Sequence, residues 1–173
     1  MSPHLILQAL YDDIGEWVAE QSGVLTIAKD PWQTLEILSE RPKGFRVILH
    51  WNGDQPGSED ELHESMGCYP LARSDIELFL SKNLGLGKDR NKPSFDDGDD
   101  VSLAELVSTL RSRVLSLTFP DDGETLGRFR YDGCDPVITP DGWPLTAYKL
   151  RFSIVTVVDV DVDEREVELD TEE

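Results

Sequence analysis

Sulfur, positive charge and long apolar runs are all scarce in this chain of 173 residues, and each scarcity excludes something. There are two cysteines, Cys68 and Cys134, with none of the paired spacings that make a metal knuckle or a disulfide framework. They read as free, partly buried thiols in a reducing compartment. No apolar run approaches the roughly 18–20 residues of a membrane-spanning helix. The opening stretch MSPHLILQALYDDIGEW lacks a basic start and is interrupted by acids. It does not read as a secretory signal, and a cytoplasmic protein is expected. Lysine and arginine number 16 against 35 acids, a formal net charge of −19. That balance opposes ordinary phosphate-backbone binding, which needs clustered bases. Aromatic residues make up 8% of the chain and do not alternate with bases, which argues against a stacking platform for single-stranded nucleic acid.

What is abundant is acid and β-branched residues. Asp159 to Glu173 holds nine acids and one base, Arg165, so this tail contributes −8 and the body −11. An excess of this size favours solubility, electrostatic choice of partner, or a surface that must not stick to nucleic acid. The length suits one domain with a real core. We therefore read residues 1–160 as a single domain and 161–173 as an acidic tail. Ahead of the tail, AYKLRFSIVTVVDV from Ala147 to Val160 alternates as a strand does. One face carries Tyr148, Leu150, Phe152, Ile154, Val158 and Val160. The other carries Lys149, Arg151 and Ser153, then turns apolar at Val155 and Val157. Fully extended, this run would span roughly 46 Å. So long a strand is expected to bend, to bulge, or to pair beyond its own sheet. Its Tyr148–Ile154 face should close the core, and its Val155–Val160 end should meet a neighbour.

The rest of the chain alternates helix and strand signals. Pro3 to Gln21 reads as an amphipathic helix with Leu7, Leu10, Tyr11, Ile14, Trp17 and Val18 on one stripe. Ser22-Gly23 ends it, and Gly15 within it predicts a close packing contact. Val24 to Ala28 reads as a short strand. Asp30-Pro31 opens a brief helix through Leu38, with a strand over Thr34–Leu38 as the competing reading. Phe45 to Trp51 is a strand, and residues 52–61 are a polar turn or loop. Leu62–Leu71 and Ile76–Leu84 read as two strands joined around Ala72–Asp75, the first bulged or at an edge because of Gly67 and Pro70. Residues 85–100 form a long loop, of the kind that in compact domains is functional or disordered. Ser102 to Glu105 is a capping box that opens a helix with Leu103, Leu106, Val107, Leu110, Val114 and Leu117 on one stripe, stopped by Pro120. Gly127 to Asp132 is a short strand, and the segment from Asp132 to Pro144 is a connection. The fold class is α+β: a mixed, mainly antiparallel sheet packed by two amphipathic helices.

Chemical motifs fail one by one. Gly85, Gly87 and Lys88 hint at a phosphate cradle, but Lys82 and Asp89 stand where the motif needs glycine and a hydroxyl; a basic patch is the better reading. His63-Glu64 begins like a zinc helix, yet Gly67 occupies the second histidine's place, and Cys68 has no paired cysteine. The acids at 96, 97, 99 and 100 lack the alternation and closing glutamate of a calcium loop. His4, His50 and His63 have no evident nucleophile and acid companions. No metal, cofactor or catalytic residue is expected, and the chain does not read as an enzyme. Two basic sets remain as candidate contacts. Lys88, Arg90 and Lys92 lie in the long loop. Arg128, Arg130, Lys149 and Arg151 lie on two strands, where pairing with acids across the sheet explains them equally well.

The segments ILQALYDDIGEWV, VSLAELVSTLRSRVLSL and WPLTAYKLRFSIVTVVD, with a middle group of strands between them, give the chain a pattern over residues 4–160. That pattern resembles the tail terminator, or tail-tube completion, proteins of long-tailed bacteriophages. The resemblance implies a structural α+β subunit of a hexameric ring in the neck of a virion tail, assembled in the host cytoplasm. The ring would end the tail tube and dock with the head-side connector or stopper protein, and DNA would pass through its channel without specific binding. On this reading the candidate interface residues are Lys88, Arg90, Lys92, Arg128, Arg130, Lys149, Arg151, Val155 and Val157. Another neck or tail component of the same fold, or an acidic monomeric interaction module, are the alternatives.

Overall fold

A computed structural model describes residues 3–40, 44–56, 71–83, 102–117, 128–137 and 145–157. Helix α1 spans Pro3–Glu20 and strand β1 Val24–Ala28. Helix α2 follows over Pro31–Ser39, and then strands β2, Phe45–Pro56, and β3, Leu71–Asn83. Helix α3 covers Leu103–Ser116, and strands β4, Arg130–Pro136, and β5, Leu145–Val157, end the described chain. The five strands form one sheet in the order β1-β2-β3-β5-β4. β1 is parallel to β2, and every other pair is antiparallel. This is the mixed α+β sheet that the residue pattern implies.

Alternation along the strands sorts the sheet into two faces. On one, Val47 and Leu49 of β2, Ile76, Leu78 and Leu80 of β3, and Leu150, Phe152 and Ile154 of β5 pack beneath two helices. Helix α1 supplies Ile6, Leu10, Ile14, Trp17 and Val18 to this core, and α3 supplies Leu103, Leu106, Leu110 and Val114. Side chains of this size stabilise the fold by about 1.5–3 kcal/mol each when fully buried. The two helices are tied where Arg113 reaches Asp13 at 3.4 Å and lies over the ring of Trp17. A smaller core on the opposite face joins Ala28, Leu38, Ile48 and Ala147 under α2, the crossover helix that a parallel strand pair requires.

Local signals set the helix ends. Asp30 accepts a hydrogen bond from the Gln33 amide and Ser102 from the Glu105 amide, each satisfying a donor that the first turn leaves open. At the end of α1 the Gly23 amide donates to the Val18 carbonyl and the Ser22 amide to the Ala19 carbonyl, a Schellman pattern. Ser22, at φ 57°, is the left-handed residue there. Gly23 serves another purpose, because a Cβ on it would fall 2.6 Å from the Phe45 ring.

Several strand boundaries differ from the sequence reading. Residues 52–56 belong to β2 rather than to a loop, because the strand resumes its pairing after a bulge between Trp51 and Asp54. Ala72–Asp75 is no junction: it lies within β3, paired with Thr156–Ser153 of β5. β4 continues past Asp132 to Pro136 through a second bulge, at Gly133, so Cys134 is in a strand and not in a connection. Gly15 does mark a close packing contact, since a Cβ there would meet the Leu25 side chain at 3.4 Å. β5 uses its length inside its own sheet. Its partner β3 is equally long and pairs with it from Leu145 to Val157. The segments 41–43, 57–70, 84–101, 118–127, 138–144 and 158–173, with the readings placed on them, lie outside the described residues.

Candidate functional site

Two regions of the domain display side chains whose arrangement the core does not require. The first is the face of β3, β5 and β4 that α1 and α3 leave uncovered. Its alternate residues are charged, and they close on one another. Lys149 Nζ is 3.0 Å from Glu77, whose other oxygen lies 3.7 Å from the buried His50 Nδ1. Arg73 bridges Asp75 at 2.9 Å and Asp132 at 3.3 Å, and Arg130 also approaches Asp132. Arg151 meets Asp135 at 3.0 Å. The structure thus gathers Arg130, Lys149 and Arg151 onto one face and gives each an acid across or along the sheet. The exposed Arg151–Asp135 pair is worth about 0–1 kcal/mol, while the Lys149–Glu77 and Arg73 pairs are partly buried. Arg128, just before β4, is exposed. Val155 is half-buried and pairs with Arg73, and Val157 pairs with Leu71. Lys88, Arg90 and Lys92 lie outside the described residues.

The second region is the β1 edge of the sheet. β1 and β4 are the outermost strands, and they differ in kind. β4 carries the devices that blunt an edge: a bulge, Pro136 at its end, and charged Arg130 and Asp135. β1, VLTIA, has no charge, proline or bulge, and Val24 and Ile27 are 47% and 46% exposed. Its outer backbone groups have no strand beside them among the described residues. Between β1 and α1 runs a groove of about 370 Å³, lined by Tyr11, Asp12, Gly15, Glu16, Val18, Ala19, Gly23 and Leu25. On the other side α2 exposes Leu35 and, at 81%, Trp32.

The helix wall of that groove is acidic. α1 contains Asp12, Asp13, Glu16 and Glu20 and no lysine or arginine. Asp13 is engaged by Arg113. Asp12, Glu16 and Glu20 follow one another at four-residue spacing, where like charges repel, and Glu20 stands in the last turn, where the helix dipole disfavours acids. Gln8 donates a hydrogen bond to Asp12 at 2.9 Å, while Glu16 and Glu20 have no lysine or arginine on their own helix.

Catalytic chemistry finds little footing among the described residues. No group of three His, Cys, Asp or Glu side chains is placed to hold a metal. Burial, and then the Asp135 charge, push the Cys134 thiol up from its ordinary value, with Tyr131 and Arg111 opposing them; a thiol so held is a weak nucleophile. His63, Glu64 and Cys68 lie outside the described residues. No described helix is long and apolar enough to cross a membrane.

Comparison with known proteins is silent. No protein-family model matches the sequence, and no curated protein matches it. The β1 edge therefore carries the functional argument alone. Sequence reasoning missed it, although its signal was present: a short strand without a guard residue, next to a helix with four acids and no base.

Proposed function

We propose that this chain is a structural assembly subunit of the tail-terminator type, forming a ring that ends a phage tail tube and joins it to the head-side connector. The observation that carries this reading is the β1 edge, which has no charge, proline or bulge and no strand beside it among the described residues. Soluble domains protect a free edge with charge, proline or a bulge, as β4 does here. A subunit that ends one structure and joins another needs a backbone edge left open for a different chain. The resemblance of the sequence pattern over residues 4–160 is a second support for the reading. The net charge of −19 suits a channel wall to which DNA must not adhere. Arg128, just before β4, Arg130 within it, Lys149 and Arg151 of β5, and Lys88, Arg90 and Lys92 are the basic contacts proposed for neighbouring copies or for the connector. Val155 and Val157 complete that proposed set.

Sedimentation velocity and negative-stain imaging of the purified chain, with and without tail tubes, test this reading. A ring or plug at one end of the tube is the expected result. A chain that stays monomeric and leaves both tube ends bare overturns it. Removal of residues 161–173 separates the alternatives: a ring survives the deletion, whereas an acidic interaction module loses its basic partner.

A further inference from the structure

We infer that the β1 edge and the α1 groove beside it receive an extended segment of a different protein, in which basic and apolar side chains alternate. The inference rests on the reading of β1 as an assembly edge, and it stands whether or not copies of this chain close a ring.

Three observations fix the chemistry of the occupant. The first is the outer backbone of Val24–Ala28, which has no strand beside it among the described residues and carries no charge, proline or bulge. An added strand is the ligand that such an edge recognises, main chain to main chain. The second is the acidic wall. Leu25 is in register with the core residue Val47, so alternate side chains of an added strand fall on the α1 side of the sheet. There they meet the groove that Asp12 and Glu16 line together with Gly15 and Leu25. A lysine or arginine fits this place, its stem on Leu25 and Gly15 and its charge at the two carboxylates. Glu16 and Glu20 have no cation on their own helix, and a cationic partner relieves their repulsion. The third is the opposite side of the strand, where Val24 is exposed in register with Arg46, and α2, on that same side, exposes Trp32 and Leu35. The remaining side chains of the added strand are therefore apolar.

Two of the chain's own segments fit poorly. Its tail, Asp159–Glu173, holds nine acids and one base, so α1 repels it. β4, the other edge, is bulged and ends in Pro136. A basic strand of another protein is the occupant that the acidic wall of α1 favours.

A short peptide alternating lysine and valine is the probe, titrated into the full chain at moderate salt with backbone amide shifts as the readout. Binding should shift Val24–Ala28 and the 11–19 stripe of α1. The double variant Asp12→Lys, Glu16→Lys should weaken it by about tenfold, as two rim attractions turned to repulsions would do. Those changes relieve repulsion within α1, so an unchanged or raised melting temperature shows that the weakening is not unfolding. A peptide N-methylated on alternate residues, which cannot pair along the edge, should fail to bind. The inference is overturned by no binding, by equal binding of the N-methylated peptide or of a glutamate–valine peptide, or by shifts confined to the charged face of β3, β5 and β4. It is also overturned if the β1 amides shift on self-association without peptide. That last result makes a second copy the occupant and leaves the ring standing, so the two proposals fail separately.

Discussion

Two neighbouring residues, Ser22 and Gly23, show how a sequence can mark a turn and still hide which residue makes it. The pair reads as a helix stop, with glycine the natural left-handed residue. The structure assigns the roles the other way round. Ser22 takes φ 57°, which strains an L-residue by about 1–2 kcal/mol. Gly23 is held by a neighbour far along the chain, the Phe45 ring, which leaves no room for a Cβ. That ring in turn packs on Trp17 at 5.7 Å between centroids. Opposite outcomes are expected from two small substitutions. Ser22→Gly should stabilise the fold by up to about 1 kcal/mol, part of the strain being offset by a more flexible unfolded chain. Gly23→Ala should destabilise it by about 1–3 kcal/mol through overpacking. Urea denaturation of both variants checks the signs; stabilisation by Gly23→Ala would show that Phe45 yields without cost.

Among the elements, helices were far more legible than strand boundaries, and their caps explain why. Asp30 and Ser102 each act on an amide three residues away, so the whole signal lies within one turn of sequence. Replacing either with alanine should cost about 1 kcal/mol. The two caps serve different helices on opposite faces of the sheet, so the double variant should lose the sum to within about 0.5 kcal/mol; denaturant midpoints of the two single variants and the double variant measure this. A strand's end, by contrast, is decided by its partner. Nothing local in Asn52–Pro56 announces a strand. It is one because Asp54–Pro56 find Ser74–Ala72 opposite them beyond a bulge, with Ser74 donating a hydrogen bond to Asp54. Asp132–Pro136 joins β4 because Lys149–Arg151 offer it an edge. The same limit hid the candidate site. The acids of α1 and the bland residues of β1 are plain in the sequence, but only the strand order puts them together at an open edge.

For the whole molecule, charge is the property that packing does not balance. The interior is ordinary: apolar faces of the sheet and helices meet in two cores, and most described bases already face acids. What remains is a formal charge of −19, of which −8 lies in Asp159–Glu173. Self-repulsion on this scale opposes the compact state and is screened by salt. The melting temperature should therefore rise as sodium chloride increases from about 0.01 M, where the screening length is about 30 Å, to about 1 M, where it is about 3 Å. Exposed ion pairs such as Arg151–Asp135 weaken over the same range but are worth little, so repulsion decides the sign. A chain ending at residue 157 should show a smaller rise, because it has lost much of the repelling charge and none of the described core. Thermal unfolding of both chains across that salt series measures the difference. A melting temperature that falls with salt would mean that the ion pairs of the open sheet face, and not the net charge, govern this protein's electrostatics. In that case the acidic wall of α1 would be a balanced part of the fold rather than a charge waiting for a partner.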